Sequence, residues 1–302
     1  MNCLVVYNPY SKKNKIEKNI DYIKESLSTK YNNIQFYKTH GVKSITEYLK
    51  ENSNNYDLII VSGGDGTVNE AVNGLVEASY KGDFSVIPSG TCNDFSTLLK
   101  YSKNIKKQLE SILKGVSTPL DICTINDSYF TYGLAIGKYT DVSYKANRKT
   151  KRLFGRLAYF IEGLKEFTKY TKLDLDIEID DLKFSGSYYT VIVLNSDKVA
   201  GFKIRNNTVK LDDGLIDVVL IEKNLKGLSW PRLAYFFLFG AKHNKKIKAY
   251  KARKVIIKSD KSLEINADGE LGAVANEALI KVLNKKINII VSEKVKNKYF
   301  SD

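Results

Sequence analysis

The sequence predicts a two-domain protein of class α/β plus β: an N-terminal doubly wound α/β domain followed by an antiparallel β domain. Three observations carry this. The chain has 302 residues, more than the roughly 250 at which a single hydrophobic core stops growing. Residues 1–120 alternate short apolar runs with amphipathic stretches, the rhythm of a parallel sheet with helices on both faces. After about Leu120 the pattern changes to mostly β, with a strict two-residue alternation at Lys172 to Asp180, as in a strand with one wet face.

Taken in order, the expected strands of the first domain are Cys3 to Asn8, Ile34 to Thr39, Leu58 to Val61 and Phe84 to Pro88. Between and after them, helices are expected near Ile16 to Tyr31, Ser44 to Glu51, Thr67 to Ser79 and Asn93 to Lys100. In the second domain, KLDLDIEID at Lys172 to Asp180 puts Leu173, Leu175, Ile177 and Ile179 on one face and acids on the other. Further strands are expected at Tyr129 to Ala135, Ser187 to Asn195, Ile216 to Ile221, Lys254 to Lys258 and Leu263 to Ala267, with turns at Asp213-Gly214 and Asp268-Gly269. Two helical interruptions, Arg152 to Thr168 and Leu228 to Gly240, break this β pattern. Ile287 to Val291 reads as a last strand, so the domains are expected at 1–120, with 285–302 packing back, and at 121–284.

Composition narrows the chemistry. A 43% hydrophobic and 27% charged chain with four prolines is globular, not disordered or collagenous. The formal charge of +14 calls for an anionic partner: nucleic acid, a phosphorylated substrate or an acidic membrane surface. Cys3, Cys92 and Cys123 form no CxxC pair, as expected in a reducing cytosol. His40 and His243, far apart, exclude histidine triads and zincin sites, so a general base must be a carboxylate or lysine. The N-terminus lacks a basic segment leading into a signal core, and the longest apolar stretch, Leu233 to Ala241, is half a membrane span. A cytoplasmic protein that touches membranes without crossing them is expected.

Three loops at the carboxyl ends of the first-domain strands carry the chemistry. Ser62-Gly63-Gly64-Asp65-Gly66-Thr67 joins the strand DLIIV to the helix VNEAVNGLV, so backbone amides and a helix N-terminus face the loop and phosphate is the expected guest. Thr67 is expected to cap the helix, and Asp65 offers a carboxylate to magnesium. The segment is neither a Walker A loop nor a GxGxxG fingerprint, and alone it could be a tight turn. Ser89-Gly90-Thr91-Cys92-Asn93-Asp94 follows another strand, with Asn93 or Asp94 as helix cap, and Asn8-Pro9-Tyr10-Ser11-Lys12 is an Asx-Pro turn.

Together these loops resemble the lipid kinases whose catalytic domain is shared by soluble bacterial diacylglycerol kinases, sphingosine kinases and ceramide kinases, most of all the bacterial diacylglycerol kinase and YegS-like branch. The likeness continues through Phe154 to Phe160, Ala200-Gly201-Phe202, Leu211 to Leu215 and Asp268-Gly269-Glu270. It implies a nucleotide-binding α/β domain and a β-sandwich domain. It also implies that Asn8, Pro9, Tyr10, Ser11, Lys12, Thr39, Gly63, Gly64, Asp65, Gly66, Thr67, Val68, Asn69 and Thr91 contact ATP, with Glu270 near the nucleotide. Asp268 becomes the catalytic base, joined by Asp65 and Asp94 in a network holding Mg2+. A structural metal falls on the Asp213 carboxylate with the Lys210 and Leu215 carbonyls, a hard oxygen set suited to magnesium. Two departures stand out: Lys12 where the family has glycine after serine, and Ser96-Thr97 where Ala-Arg or Gly-Arg is common.

The expected activity is ATP-dependent phosphorylation of a lipid hydroxyl, with diacylglycerol the leading acceptor. Trp230, Tyr235, Phe236, Phe237, Leu238 and Phe239, followed by Lys242, Lys245, Lys246 and Lys248, would form an aromatic face beside a cationic collar at an anionic membrane. Arg148, Lys149, Lys151 and Arg152 add to it. A core helix flanked by solvated lysines fits the same pattern. Two other functions stay open: a soluble-substrate kinase of the NAD kinase type, and a non-catalytic basic membrane-binding protein with a degenerate kinase core. No nucleic-acid reader motif is present, so nucleic acid is not expected as partner. The family likeness makes a homodimer a reasonable expectation.

Overall fold

The computed structural model describes residues 1–9, 16–41, 43–137, 173–196, 198–199, 202–203, 209–223, 248–268 and 270–301. Strands β1 (Asn2–Tyr7), β2 (Asn33–Lys38), β3 (Leu58–Gly63) and β4 (Asp83–Pro88) are parallel and lie side by side as β4-β3-β1-β2. The run LIIV at the start of β3 is buried on both faces, which is why it is continuously apolar. One face, through Leu4, Val6, Ile59 and Val61, packs on α2 (Ser44–Asn52) and α3 (Asp65–Glu77). The other, through Cys3, Val5, Leu58 and Ile60, packs on α1 (Ile20–Ser28) and α5 (Ile105–Lys114). A short α4 (Asp94–Leu98) follows β4.

Register places the functional edge. Tyr7 pairs with Lys38 and with Ser62, and Gly63 pairs with Pro88, so the loops after all four strands leave the sheet at one level. The strand order reverses direction at β1, and the crevice at such a reversal is where open α/β sheets bind ligands.

The second half is antiparallel. Strands β5 (Val116–Ile125), β6 (Ser128–Phe130), β7 (Gly133–Ile136), β8 (Leu173–Ile179), β9 (Leu182–Leu194), β12 (Ile216–Glu222), β13 (Lys248–Ala252), β14 (Lys254–Ala267) and β15 (Glu270–Val291) build it, with a small hairpin of β10 (Lys198–Val199) and β11 (Phe202–Lys203). Both β7 and β8 pair with β9 and with β14, closing a ring around a second core. In β8, Leu175, Ile177 and Ile179 are buried and Asp174 and Asp176 exposed, as the alternation predicts.

The halves share one sheet through β15. Its first part pairs with β14 in the second half, while Asn288 and Ile289 run parallel to Asp83 and Phe84 of β4. Helix α6 (Glu293–Tyr299) then buries Val295 and Tyr299 in the first core. Four expectations change. Lys254 to Lys258 and Leu263 to Ala267 form one strand with a register shift between them, because Lys258 to Leu263 bulges without breaking the ladder. The stretch Tyr129 to Ala135 is two strands. Helix α5 and strand β5 were not expected; Pro119 inside β5 argues against a strand from sequence alone. The two helical interruptions lie outside the described residues.

Candidate active site

The glycine loops meet backbone to backbone. A Cβ on Gly90 would sit 2.4 Å from Gly64 Cα and 2.9 Å from Asn93 Oδ1, so only glycine lets the second loop lie against the first. The sheet continues into them: Ser89 N donates to Gly63 O at 2.9 Å. Asn8 N donates to Ser62 O at 3.4 Å and Thr39 N to Tyr7 O at 3.1 Å, which brings Asn8, Pro9 and Thr39 to the same edge. Tyr10, Ser11 and Lys12 lie outside the described residues.

Capping differs from expectation. Helix α3 starts at Asp65 after an extended Gly64, and Thr67 sits within its first turn beneath Gly63 rather than at the cap. Asn93, left-handed at φ 55, holds the N-cap position of α4, but its side chain makes no capping hydrogen bond there. Its carboxamide instead brackets Gly90, accepting from Gly90 N at 2.9 Å and donating to Gly90 O at 2.7 Å. Asp65 Oδ1 accepts from Phe95 N at 3.3 Å, so the carboxylate of one loop secures the helix of the other. Val68 is buried in the core and its amide donates to Gly64 O. Gly66 is partly buried and Thr91 exposed beside the cleft.

Asp268 reaches this edge from the second half. It occupies the turn between β14 and β15 in a left-handed conformation, φ 51, with its amide donating to Gly133 O at 2.8 Å. Only 4% exposed, its carboxylate accepts five hydrogen bonds. Oδ2 takes Thr131 N at 2.8 Å, Thr131 Oγ1 at 2.9 Å and Asn69 Nδ2 at 3.0 Å. Oδ1 takes Tyr132 N at 3.0 Å and Gly133 N at 3.2 Å. Burial raises its pKa, and the Tyr132 and Thr131 amides, Asn69 and the Thr131 hydroxyl pull it back. Asn69 thus points at Asp268, and Asp268 stands with the glycine loops. Glu270 opens β15 opposite Ala267, and Gly269 is outside the described residues.

Asp65 and Asp94 complete the constellation. Burial, then the neighbouring Asp94 carboxylate, push Asp65 up to about 6, against the Phe95, Asn93 and Asp94 amides. Burial first, and then the fields of Asp268, Asp65 and Asp94, hold the Tyr132 phenol well above the usual range, hence protonated. Among the described residues no group of three or more His, Cys, Asp and Glu is arranged to hold a metal by itself. Two neighbouring carboxylates, one raised by the charge of the other, nevertheless suit a hard divalent cation that would take its remaining ligands from water and phosphate.

Residues 210–215 form a separate place. Asp213 Oδ1 accepts from Leu215 N at 3.0 Å, and Oδ2 lies 3.1 Å from Lys251 Nζ. Gly214 N donates to the buried Asp121 carboxylate at 2.6 Å, and Lys210 Nζ bonds Phe300 O. The chain's own hydrogen bonds close this turn, and a cation at Asp213 would have to displace Lys251. Sequence reading missed Thr131, Tyr132, Gly133 and Asn73; no local motif marks them. Lys248, expected in the cationic collar, lies in β13, 2.9 Å from Glu222; the other residues of the collar and the aromatic face lie outside the described residues. No described helix is long and apolar enough to cross a membrane.

A two-domain kinase fold, with three carboxylates gathered beside paired glycine loops, defines the class. The diacylglycerol kinase catalytic domain matches residues 2–125, and the YegS C-terminal NAD kinase beta sandwich-like domain matches 134–291. A diacylglycerol kinase of Staphylococcus saprophyticus is 30% identical over 298 residues, 97% of this chain and 96% of that one. One of Staphylococcus aureus is 33% identical over 273 residues, 89% and 85% of the two chains. A Bacillus anthracis crystal structure, provisionally assigned as a diacylglycerol kinase, superposes with a TM-score of 0.83 at 26% identity, covering 97% of this chain and 96% of that one. The chain belongs to the diacylglycerol kinase family.

Proposed function

We propose that this protein is an ATP-dependent lipid kinase that phosphorylates a lipid hydroxyl, that of diacylglycerol to give phosphatidic acid, at the inner membrane surface. The observation that carries the reading is the 3.0 Å hydrogen bond from Asn69 Nδ2 to Asp268 Oδ2, because it joins the helix behind the glycine loop to a carboxylate of the other half. The names of the Staphylococcus relatives support the acceptor.

In this reading Gly63, Gly64, Gly66 and Thr91, with Asn8, Pro9 and Thr39 beside them, line the phosphate site, where backbone amides and the α3 N-terminus favour negative charge. Asp268 takes the proton of the acceptor hydroxyl. It needs a free lone pair to do so, and the Thr131 hydroxyl, which turns freely about its C–O bond, is the donor that can leave. Asp65 and Asp94 hold Mg2+, which when bound supplies charge neutralisation at the phosphate oxygens. A second cation at Asp213, Lys210 and Leu215 is the corresponding structural proposal. The charge of +14 supports docking on an anionic membrane.

The test is transfer of radiolabel from ATP to a panel of lipids in mixed micelles, with Asp268→Asn as control. Label in phosphatidic acid that depends on Asp268 is expected. Transfer that survives the substitution removes Asp268 as base, and no transfer to any lipid refutes the lipid-kinase reading.

A further inference from the structure

We propose that Asn73 is a positioning residue for phosphotransfer, anchoring the carboxamide of Asn69 by its oxygen while the amino end meets Asp268. The proposal rests on the kinase reading above for its consequence, though not for its geometry. Asn69 and Asn73 stand one turn apart on α3, at i and i+4, and therefore on one face. Asn73 Nδ2 donates to Asn69 Oδ1 at 3.1 Å and to Asn69 O at 2.8 Å. Asn73 Oδ1 accepts from Tyr129 N at 3.3 Å. Asn69 Nδ2 donates to Asp268 Oδ2 and to Tyr129 O, each at 3.0 Å.

The two ends of this relay have unambiguous polarity. Tyr129 N–H can only donate, which fixes Asn73 Oδ1 towards it and turns Asn73 Nδ2 to Asn69. Asn69 Oδ1 is thereby occupied, and its amino group is left facing Asp268. Reversing Asn69 would set its oxygen against the carboxylate and against Tyr129 O, and its amino group against that of Asn73. Each of those contacts is repulsive. Tyr129 belongs to β6 and Asp268 to the β14–β15 turn, so two amides on one helix hold both parts of the second half against the glycine-loop helix. Asn73 touches neither reacting atom nor phosphate site in this arrangement; its influence passes through Asn69.

The substitution that isolates the role is Asn73→Asp, which keeps an acceptor for Tyr129 N–H but has no amino group for Asn69 Oδ1. Asn73→Ala is the second variant, and thermal melting confirms that each is folded. We expect kcat to fall by roughly tenfold with KM for ATP and lipid changed by less than about twofold, because the loss falls on the reacting arrangement and not on binding. Asn69→Ala should cost about as much, and Asn69→Ala/Asn73→Ala no more than Asn69→Ala alone, because residues acting through one another do not add. Multiplying losses, or wild-type kcat in both Asn73 variants, would overturn the proposal. A second measurement needs no turnover: the Asn69 side-chain amide pair in 1H–15N spectra, assigned by its absence in Asn69→Ala. It should be slow to exchange in the wild type and lose that protection in Asn73→Asp and Asn73→Ala. Protection retained in both overturns the positioning role whatever the activity, whereas absent transfer by the wild type with protection lost refutes the kinase reading alone.

Discussion

The carboxylates on the two sides of the cleft are held in opposite ways. Asp268, from the antiparallel half, is buried, and the chain itself satisfies it with four donors from residues 131–133 and one from Asn69. Asp65, from the α/β half, faces a like charge at Asp94, and burial with that neighbour raises its pKa to about 6. One side is finished by protein dipoles; the other, although amides of residues 93–95 reach it, keeps a like-charge neighbour whose repulsion a bound cation would relieve. The antiparallel half therefore presents a rigid group, and the α/β half an incomplete one that a ligand completes.

The largest expected effect breaks the finished side. Asp268→Asn should lower phosphotransfer by about 10²- to 10⁴-fold if the carboxylate is the base. It should also destabilise the protein by about 1–3 kcal/mol, because the amino group it introduces must face donors that had an acceptor. Initial rates and urea denaturation measure the two. Lost activity at unchanged stability would mean that the five donors contribute nothing to holding the fold.

Next in size is the junction of the loops. Gly90→Ala puts a methyl group 2.4 Å from Gly64 Cα, a collision between two backbones that no rotamer relieves. The loops must part, at about 1–3 kcal/mol. KM for ATP should rise by roughly tenfold, the equivalent of 1.4 kcal/mol of lost binding. An unchanged KM would separate the second loop from the nucleotide.

The same contrast explains what was legible in the sequence. The α/β side is made from local features: an apolar strand, glycines and a helix start within about ten residues, so Gly63 to Asn69 and Gly90 to Asp94 stand out along the chain. On the other side the partners are distant, Asn69 and Asp268 being separated by 199 positions. Nothing local says that Asp268 is more than an Asp-Gly turn; resemblance to a family singled it out. Thr131 to Gly133 were read as strand, since four donors pointing at one carboxylate are a property of packing, not of pattern. Thr67 and Asn93 have good capping chemistry, but local contacts with Gly63 and Gly90, in the loop just before each, claimed their side chains. Strand β5 was missed because Pro119 interrupts it, and β14 was read as two strands because the bulge between Lys258 and Leu263 breaks the period; helix α5 carries a clear helical period and was passed over.

A smaller effect tests the incomplete side. Because Asp65 is pushed up to about 6 in the folded protein, above the 3.8 of a free aspartate, the folded state binds this proton more tightly than the unfolded chain. The resulting penalty is absent below about pH 4, grows up to about pH 6 and is complete above it. In metal-free buffer, Asp65→Asn should therefore stabilise the protein by about 1–2 kcal/mol at pH 8, a figure discounted for partial exposure, and by nothing at pH 4. The amide still offers an oxygen to Phe95 N, so the cap on α4 persists. Thermal melts across pH measure this. Destabilisation at pH 8 would mean that Asp65 is already balanced by the chain.

The smallest expected effect concerns Lys251 and Asp213, where a cation of the chain itself sits on a carboxylate. Both side chains are partly exposed, at 38% and 23%, and pairs of that kind contribute about 0–1 kcal/mol. The turn they flank is held more firmly from below, by the Gly214 amide on the buried Asp121 carboxylate and by Leu215 N on Asp213. Lys251→Met should accordingly lower stability by less than about 1 kcal/mol in metal-free buffer. It also removes the ammonium that a metal at Asp213 must displace, so magnesium should stabilise the variant more than the wild type. Equal magnesium stabilisation of both proteins would place the bound ion elsewhere, leaving the Asp65 and Asp94 pair as the cation site to examine.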